Sequence, residues 1–436
     1  MAVARHKFNE RNEKNNNMFI SCYDINLEYI NYFFKRFLMN KSITNIKSKS
    51  NYSLMTLILF WCGLIVMSSM YLTIPLISLF SSIFDVSSGV AAWTSSIFCI
   101  FFAVGCLVYG PMSDRYGRKK IILIGMAMLT VVTPLVGLFD NIYWVLTMRA
   151  LQGAVAASFS PVALAYIPEM FPDNKKLTAT GFLVTGFLMA GIVGQVISGL
   201  INQYLAWNYV FYIMGLTYLV TLFLVLLLLP KDNLPRLKTS IIQTVENMVS
   251  LLKIKPLVLC FAVDVMFLMS MMCMYASLGY YLIEPQFGLN SQEILYVRAA
   301  GIFGIVFAAT SGLFVKKFGI FNVLIGGLLI AAISLTSIAF VNSIQILVLL
   351  SVIFVAGIAV TAPALITIIG QIGGQSRGAA LSLHTVILFI GAGIGPILAI
   401  TLLDTGINIL PYLVMGLILL LGVGLSLLIK KSVNMT

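Results

Sequence analysis

Charge is what this sequence has least of. Of its 436 residues, 10% are Asp, Glu, Lys or Arg, 60% are hydrophobic, and the mean hydropathy is +1.01. Soluble globular chains carry about 25% charge, so this one has too few charged side chains to cover a surface in water. Histidine is scarcer still: His6 and His384 are the only two. The six cysteines are Cys22, Cys62, Cys99, Cys106, Cys260 and Cys273. All but Cys22 lie in apolar runs. They show neither metal-ligand spacing nor a disulfide framework and read as small apolar packers. A membrane-embedded enzyme would need a nucleophile–base pair or metal ligands at membrane depth, and the apolar runs offer no paired carboxylates. No Gly-x4-Gly-Lys-Ser/Thr loop occurs, which argues against direct ATP drive. No cofactor and no metal are expected. The short alternating segments of a β-barrel are missing, as is a soluble domain of signalling size, and the first apolar run is too long and too far in to be a cleavable signal peptide.

What the chain does have is length in its apolar runs. About 20 apolar residues cross a bilayer as a helix, and runs of that order fall near 54–79, 89–111, 120–139, 143–166, 178–202, 207–229, 257–283, 294–315, 320–341, 344–369, 378–403 and 409–429. Unpaired backbone groups are not tolerated in lipid, so each run must be helical. The expected fold is an all-α membrane protein of twelve transmembrane helices. Two stretches interrupt the pattern. Residues 1–53 are polar and rich in Lys and Asn, an N-terminal extension in which Tyr29–Met39 is either an interfacial amphipathic helix or unstructured. Residues 230–256 form a linker that divides the spans into six (54–229) and six (257–429), and 430–436 form a tail.

The net charge of +12 suggests nucleic acid until the charges are placed. With twelve spans, 25 of the 27 Lys and Arg residues fall on one side, in the extension, the even-to-odd loops, the linker and the tail. Lys and Arg accumulate in cytoplasmic loops. Both termini are therefore expected in the cytoplasm, with anionic lipid rather than nucleic acid as the partner of the basic charge. An added or missing span would scramble this agreement.

The halves repeat. Gly110 and Gly117 at the end of the second span recur as Gly312 and Gly319, and Pro161 recurs as Pro363, all at an offset of 202; Gly194 recurs as Gly395 at 201. Parallel six-helix repeats are a transporter architecture in which the solute site lies near the midplane between the halves.

Gly110-Pro-Met-Ser-Asp114-Arg115-Tyr-Gly117-Arg118-Lys-Lys120 resembles the signature loop between the second and third helices of the major facilitator superfamily. Gly110 and Gly117 suit a tight turn and a close helix approach, and Asp114 suits a helix N-terminus. The resemblance implies that Asp114 meets the start of the eleventh helix near Gly378, that Arg118 pairs with Glu169, and that the cluster latches the halves on the cytoplasmic face. Arg149-Ala-Leu-Gln152-Gly153 resembles the family's fourth-helix motif, whose Arg is associated with proton movement; a snorkelling Arg near the outer end is the other reading. Gly186, Gly191, Gly194, Gln195 and Gly199 resemble the fifth-helix motif of proton-coupled exporters. Gln195 stands where that motif has proline, whereas the eleventh-helix counterpart reads Gly395-Pro396. Ordinary small-residue packing is compatible with both.

The resemblance, closest to the bacterial drug- and sugar-efflux branch, implies a monomer in the bacterial inner membrane that moves a small-molecule substrate against protons by alternating access. Candidate proton carriers are Asp264, His384 and Arg149; Asp264 also reads as an inward-end acid facing the linker lysines. The family's pore helices here offer Tyr71, Thr73, Met272 and Tyr275 as candidate cavity residues. This weakly polar, Met-rich lining suits a lipophilic solute. Sugar or nutrient uptake by symport is the alternative within transport.

Overall fold

The computed structural model describes residues 51–232 and 241–433. Twelve helices long and apolar enough to span a bilayer follow one another. They are α1 (Tyr52–Ile83), α2 (Ser88–Tyr116), α3 (Arg118–Val136), α4 (Ile142–Met170), α5 (Asp173–Tyr204), α6 (Trp207–Leu228), α7 (Lys255–Ile283), α8 (Ser291–Ala300 continuing as Ile302–Phe318), α9 (Ile320–Ile338), α10 (Ile344–Ile372), α11 (Arg377–Leu403) and α12 (Leu410–Val433). The fold is all-α, a multi-pass membrane architecture of two six-helix pseudo-repeats. Outward faces stay apolar, as with Leu216, Val306, Phe303 and Leu417, each more than half exposed. A helix that is apolar all round belongs in lipid or a core.

Several helix ends carry readable signals. Ser87 caps α2 by accepting from the Val90 amide, Asn141 caps α4 from Tyr143 and Trp144, and Asn290 with Glu293 forms a capping box on α8. The turns into α3 and α9 both pass through a glycine in the left-handed region, Gly117 at φ 100° and Gly319 at φ 81°. These are the repeat partners, and the same backbone need explains both.

Within the first half α1 packs on α5, α2 on α4 and α3 on α6; within the second, α7 packs on α11, α8 and α9 on α10, and α9 on α12. The halves meet along α2–α11 and α5–α8. Contacts between helix ends define two faces. At one, Asp232 after α6 meets the start of α3 and Lys430 of α12 meets Asn322 of α9. At the other, Gln203 of α5 meets Gln292 of α8 and Asn408 before α12 meets Glu284 after α7. The first is called the basic face here, the second the far face.

Departures from the sequence reading have local causes. The first span starts at Tyr52 and runs to Ile83, but its α-helix stops at Tyr71, followed by a 3-10 turn at Ile74–Leu76. Pro75 removes an amide and crowds the carbonyl four residues back, that of Tyr71, where the helix ends. Pro161 likewise follows a break in α4 after Ala156, whereas its repeat partner Pro363 lies inside a continuous α10. The linker is not all irregular: it holds a helix, Ile241–Ser250, touching α2 and α11. Tyr29–Met39, His6, Cys22 and the end of the tail lie outside the described residues.

The fifth-helix glycines divide into two rows on different faces of the helix. Gly186 and Gly194 press on α1, where a Cβ on Gly194 would lie 2.6 Å from the Ser68 carbonyl oxygen; Gly199 faces Leu295 of the other half and Gly191 meets both Tyr71 and Met271. Gly395 does for α11 and α7 what Gly194 does for α5 and α1, with Met269 O 2.8 Å from its built Cβ. Gly110, expected at a close helix approach, faces open space: no atom lies within 4 Å of a built Cβ. Gly194→Leu and Gly395→Leu are therefore expected to destabilise by at least about 1–3 kcal/mol from overpacking, while Gly110→Leu has little effect. Thermal unfolding of the purified variants in detergent reads the difference.

Candidate functional site

Breaking α1 at Tyr71 leaves carbonyls of its last turn without intrahelical partners. Side chains from three other helices take them up. Arg149 Nη1 donates to Ser69 O at 2.9 Å, Ser95 Oγ to Met70 O at 3.4 Å and Ser198 Oγ to Leu72 O at 2.6 Å. Arg149 is fully buried, so it does not snorkel. Its Nε donates to Thr94 O at 2.9 Å, its Nη1 also reaches Gln152 Oε1 at 2.7 Å, and the guanidinium lies 4.4 Å from the centre of the Phe98 ring. Gln152 continues the network to Thr133 on α3 at 3.0 Å, and Ser69 shares a hydrogen bond with Tyr218 on α6 at 2.5 Å. Gly153 lets α4 press directly on the Phe98 backbone. The network around this cation thus joins five helices of one half; every acceptor Arg149 uses is neutral, and its Nη2 has no partner.

In the second half the buried polar pair is Asp264 on α7 and His384 on α11. His384 Nδ1 lies 2.6 Å from Asp264 Oδ2, and Asp264 is 1% exposed. Asp264 does not face the linker lysines: the α7–α11 contact encloses it, with Gly391 against the Val265 backbone one residue along. Its Oδ1 has no partner. The sequence reading named the two residues separately and missed the pairing, which spans 120 positions of sequence.

Where the two halves meet, Arg298 Nη1 of α8 donates to Gln195 Oε1 of α5 at 2.5 Å, both side chains buried. Gly199 receives Leu295, Gly191 receives Tyr71 and Met271, and Gly301 receives the Tyr275 hydroxyl beside Ile192. The candidate cavity residues Tyr71, Thr73, Met272 and Tyr275 are all buried, Tyr71 and Tyr275 against the seam glycines Gly191 and Gly301. Met272 corrects the expectation most clearly, because its Cβ backs onto Gly395 of α11.

On the basic face Arg118 pairs with Glu169 (Nη2 to Oε1, 2.7 Å) and with Asp114. Arg115 is exposed over the Tyr116 ring. Asp114 was expected at the start of α11. No hydrogen bond among the described residues takes it there, and Gly378 has no atom within 4 Å of a built Cβ. The acid that does cap a helix is Asp232, accepting from the Arg118 and Lys119 amides at 2.8 and 3.1 Å. Gly117 at the N-cap of α3 has no side chain to do this, so the linker supplies it. Lys119 Nζ in turn donates to the last carbonyls of α6, Leu226 O and Leu229 O, at 2.9 and 2.5 Å. Asp232→Ala is expected to cost about 0.5–2 kcal/mol, the range for losing a cap, and Arg115→Ala no more than about 0.5 kcal/mol; thermal unfolding in detergent compares them.

Comparison with known proteins fits this geometry. A family model described as Major Facilitator Superfamily matches residues 59–341. An uncharacterized transporter of Buchnera aphidicola subsp. Schizaphis graminum (strain Sg) is 25% identical over 366 residues, covering 83% of this chain and 88% of that one. Multidrug resistance protein MdtG of Proteus mirabilis (strain HI4320) is 28% identical over 222 residues, 50% of this chain and 55% of its own length. The crystal structure of the human organic anion transporter MFSD10 (TETRAN) superposes with a TM-score of 0.69 at 14% identity, over 86% of this chain and 99% of that one, a likeness of fold. With more than half of its length matched by the family model, and with both pseudo-repeats in place, the chain belongs to the major facilitator superfamily and is a transporter, not an enzyme.

Proposed function

We propose that this transporter exports a small lipophilic or weakly polar solute across a bacterial inner membrane in exchange for protons. The observation that carries the reading is the Asp264–His384 pair. Among the described residues Asp264 is the one buried carboxylate, and it is held between two helices of one half rather than used to tie the halves together. Burying an ionisable group inside a span is costly, and such groups by default serve function. Arg149 plays a second part. Its charge fixes the field inside the first half, where the broken α1 places it.

In this reading the basic face lies in the cytoplasm, following the distribution of Lys and Arg, and the seam at α5–α8 is the closed outer gate. A solute enters from the cytoplasmic side between the halves. Protonation of Asp264 from outside and release inside then couple the return step. The Asp114–Arg118–Glu169 cluster would reach α11 only when the cytoplasmic side closes, which accounts for its being satisfied within one half here. The weakly polar character of Tyr71, Met271 and Tyr275 favours a solute with a large apolar part, in keeping with the multidrug resistance name carried by a relative.

The test uses inside-out vesicles or proteoliposomes with an acid lumen and a pH-sensitive fluorophore, challenged with a panel of dyes, lipophilic ions and sugars. A compound that dissipates the gradient only when the protein is present is the expected result. Asp264→Asn should abolish that proton flux by more than about tenfold while downhill exchange of the solute persists; a variant that still couples protons would remove Asp264 from the mechanism. Asp114→Asn should reduce transport in both directions at an unchanged level of protein in the membrane, since it weakens the closed cytoplasmic state and not the proton site.

A further inference from the structure

Arg298 is the second buried arginine and the less well satisfied. It is 3% exposed, yet its one hydrogen bond goes to the Gln195 amide oxygen, and its Nε has no partner. Among the described residues no carboxylate forms an ion pair with it. Two acids of the far face near it are used elsewhere: Glu284 accepts from Asn408 at 2.6 Å and Glu293 accepts from the Asn290 amide at 2.8 Å. A buried cation without a counter-anion is costly. Arg149 offsets that cost with neutral acceptors drawn from its own half. Arg298 cannot, because its acceptor belongs to the opposite half and leaves when the seam opens.

We propose that Arg298 is the anion-binding group of the solute site. When α5 and α8 part, its guanidinium exchanges Gln195 for the acidic group of an amphipathic organic monoanion, and the apolar body of that solute packs against Tyr71, Ile192, Met271 and Tyr275. The proposal rests on the transport reading and names its substrate class. Gln195 is built as a stand-in. Its Nε2 donates to Gly191 O at 2.5 Å, which turns Oε1 towards the arginine. A carboxylate in the same place makes two charge-assisted bonds to the end of the fork, through Nη1 and Nη2, where the amide oxygen makes one. The proline that usually follows the central glycine of this motif has no such acceptor, so the departure from the motif acquires a purpose. The four apolar neighbours lie on both halves, around Gly191 and Gly301, whose missing side chains leave room for them.

Full-length protein in lipid nanodiscs, without any gradient, is titrated with 1-naphthoate, 1-naphthylmethanol and 1-naphthylmethylammonium, which share a ring and differ in charge. Naphthoate should bind at least about tenfold more tightly than the alcohol, the scale of one charged hydrogen bond, and the ammonium compound least. Arg298→Gln should erase the preference while leaving alcohol binding in place, Arg298→Lys should keep part of it, and Gln195→Leu, which removes the competing acceptor, should tighten naphthoate. In the unmodified protein, naphthoate but not the alcohol should slow phenylglyoxal labelling at Arg298, a readout that needs no variant to fold. Equal binding of naphthoate and alcohol, or a preference that survives in Arg298→Gln, overturns the assignment. Binding and transport fail separately. Naphthoate bound at Arg298 but never moved would count against export and for the anion site. Movement of the ammonium compound without naphthoate binding would do the reverse.

Discussion

A carbonyl that loses its helical partner inside a membrane must find another donor, because lipid offers none. Much of the first half follows from that constraint. Pro75 ends the α1 helix at Tyr71 at membrane depth, and the freed carbonyls draw in Arg149 from α4, Ser95 from α2 and Ser198 from α5. A neutral donor would have sufficed for any one of them. Arginine does more, since its fork reaches Ser69 O, Thr94 O and Gln152 together while its face covers Phe98. The buried charge and the broken helix stabilise each other: each alone would leave polar groups unpaired in hydrocarbon. The glycines at 186 and 194 are consequences as well, since α5 must approach α1 closely for Ser198 to reach Leu72 O.

The second half keeps the framework and changes the polar content. Gly319 repeats the turn at Gly117, and Gly395 repeats the close approach at Gly194, so helix order and packing are carried by glycine in both halves. Pro363 does not repeat the break at Pro161. An acid–base pair sits between α7 and α11 instead. The first copy thus holds a permanent charge satisfied within its own helices, and the second a buried acid–base pair, with its own arginine, Arg298, placed at the seam. The packing glycines fix where helices touch, and the polar side chains are free to differ.

The helix count, the two six-helix pseudo-repeats and the signature loop were legible in the sequence, because each depends on composition or on neighbours a few residues apart. The pairing of Asp264 with His384 and of Gln195 with Arg298 was not, because it depends on which helices touch across more than 100 residues of chain. Asp232 shows a subtler limit. The sequence reading looked for an acid at a helix N-terminus and chose Asp114 within the motif, whereas the helix in need was α3, whose cap position is a glycine. The signal was there in Gly117 itself: a residue that must take a positive φ cannot also supply a capping side chain, so another element has to. Pro75 was equally visible. Read as a proline in the middle of the first span, it points to the carbonyls that Arg149 answers.

How the polar groups are shared between the halves bears on motion. Arg149 takes all its acceptors from the first half, and Asp264 and His384 are both in the second, so two rigid bundles can rock without disturbing either. The Gln195–Arg298 bond is different, because it crosses the seam. A hydrogen bond to a charged group contributes about 1.5–3 kcal/mol, and two conformations that exchange usefully differ by only a few kcal/mol. One bond of this strength, surrounded by glycines and apolar side chains that gain little specificity from the seam, is therefore large enough to set the balance between closed and open on the far face. It is also small enough for a ligand group of greater charge to displace. An ion pair with a carboxylate in place of Gln195 would hold the seam too firmly for that exchange, and a purely apolar contact would give a solute nothing to replace.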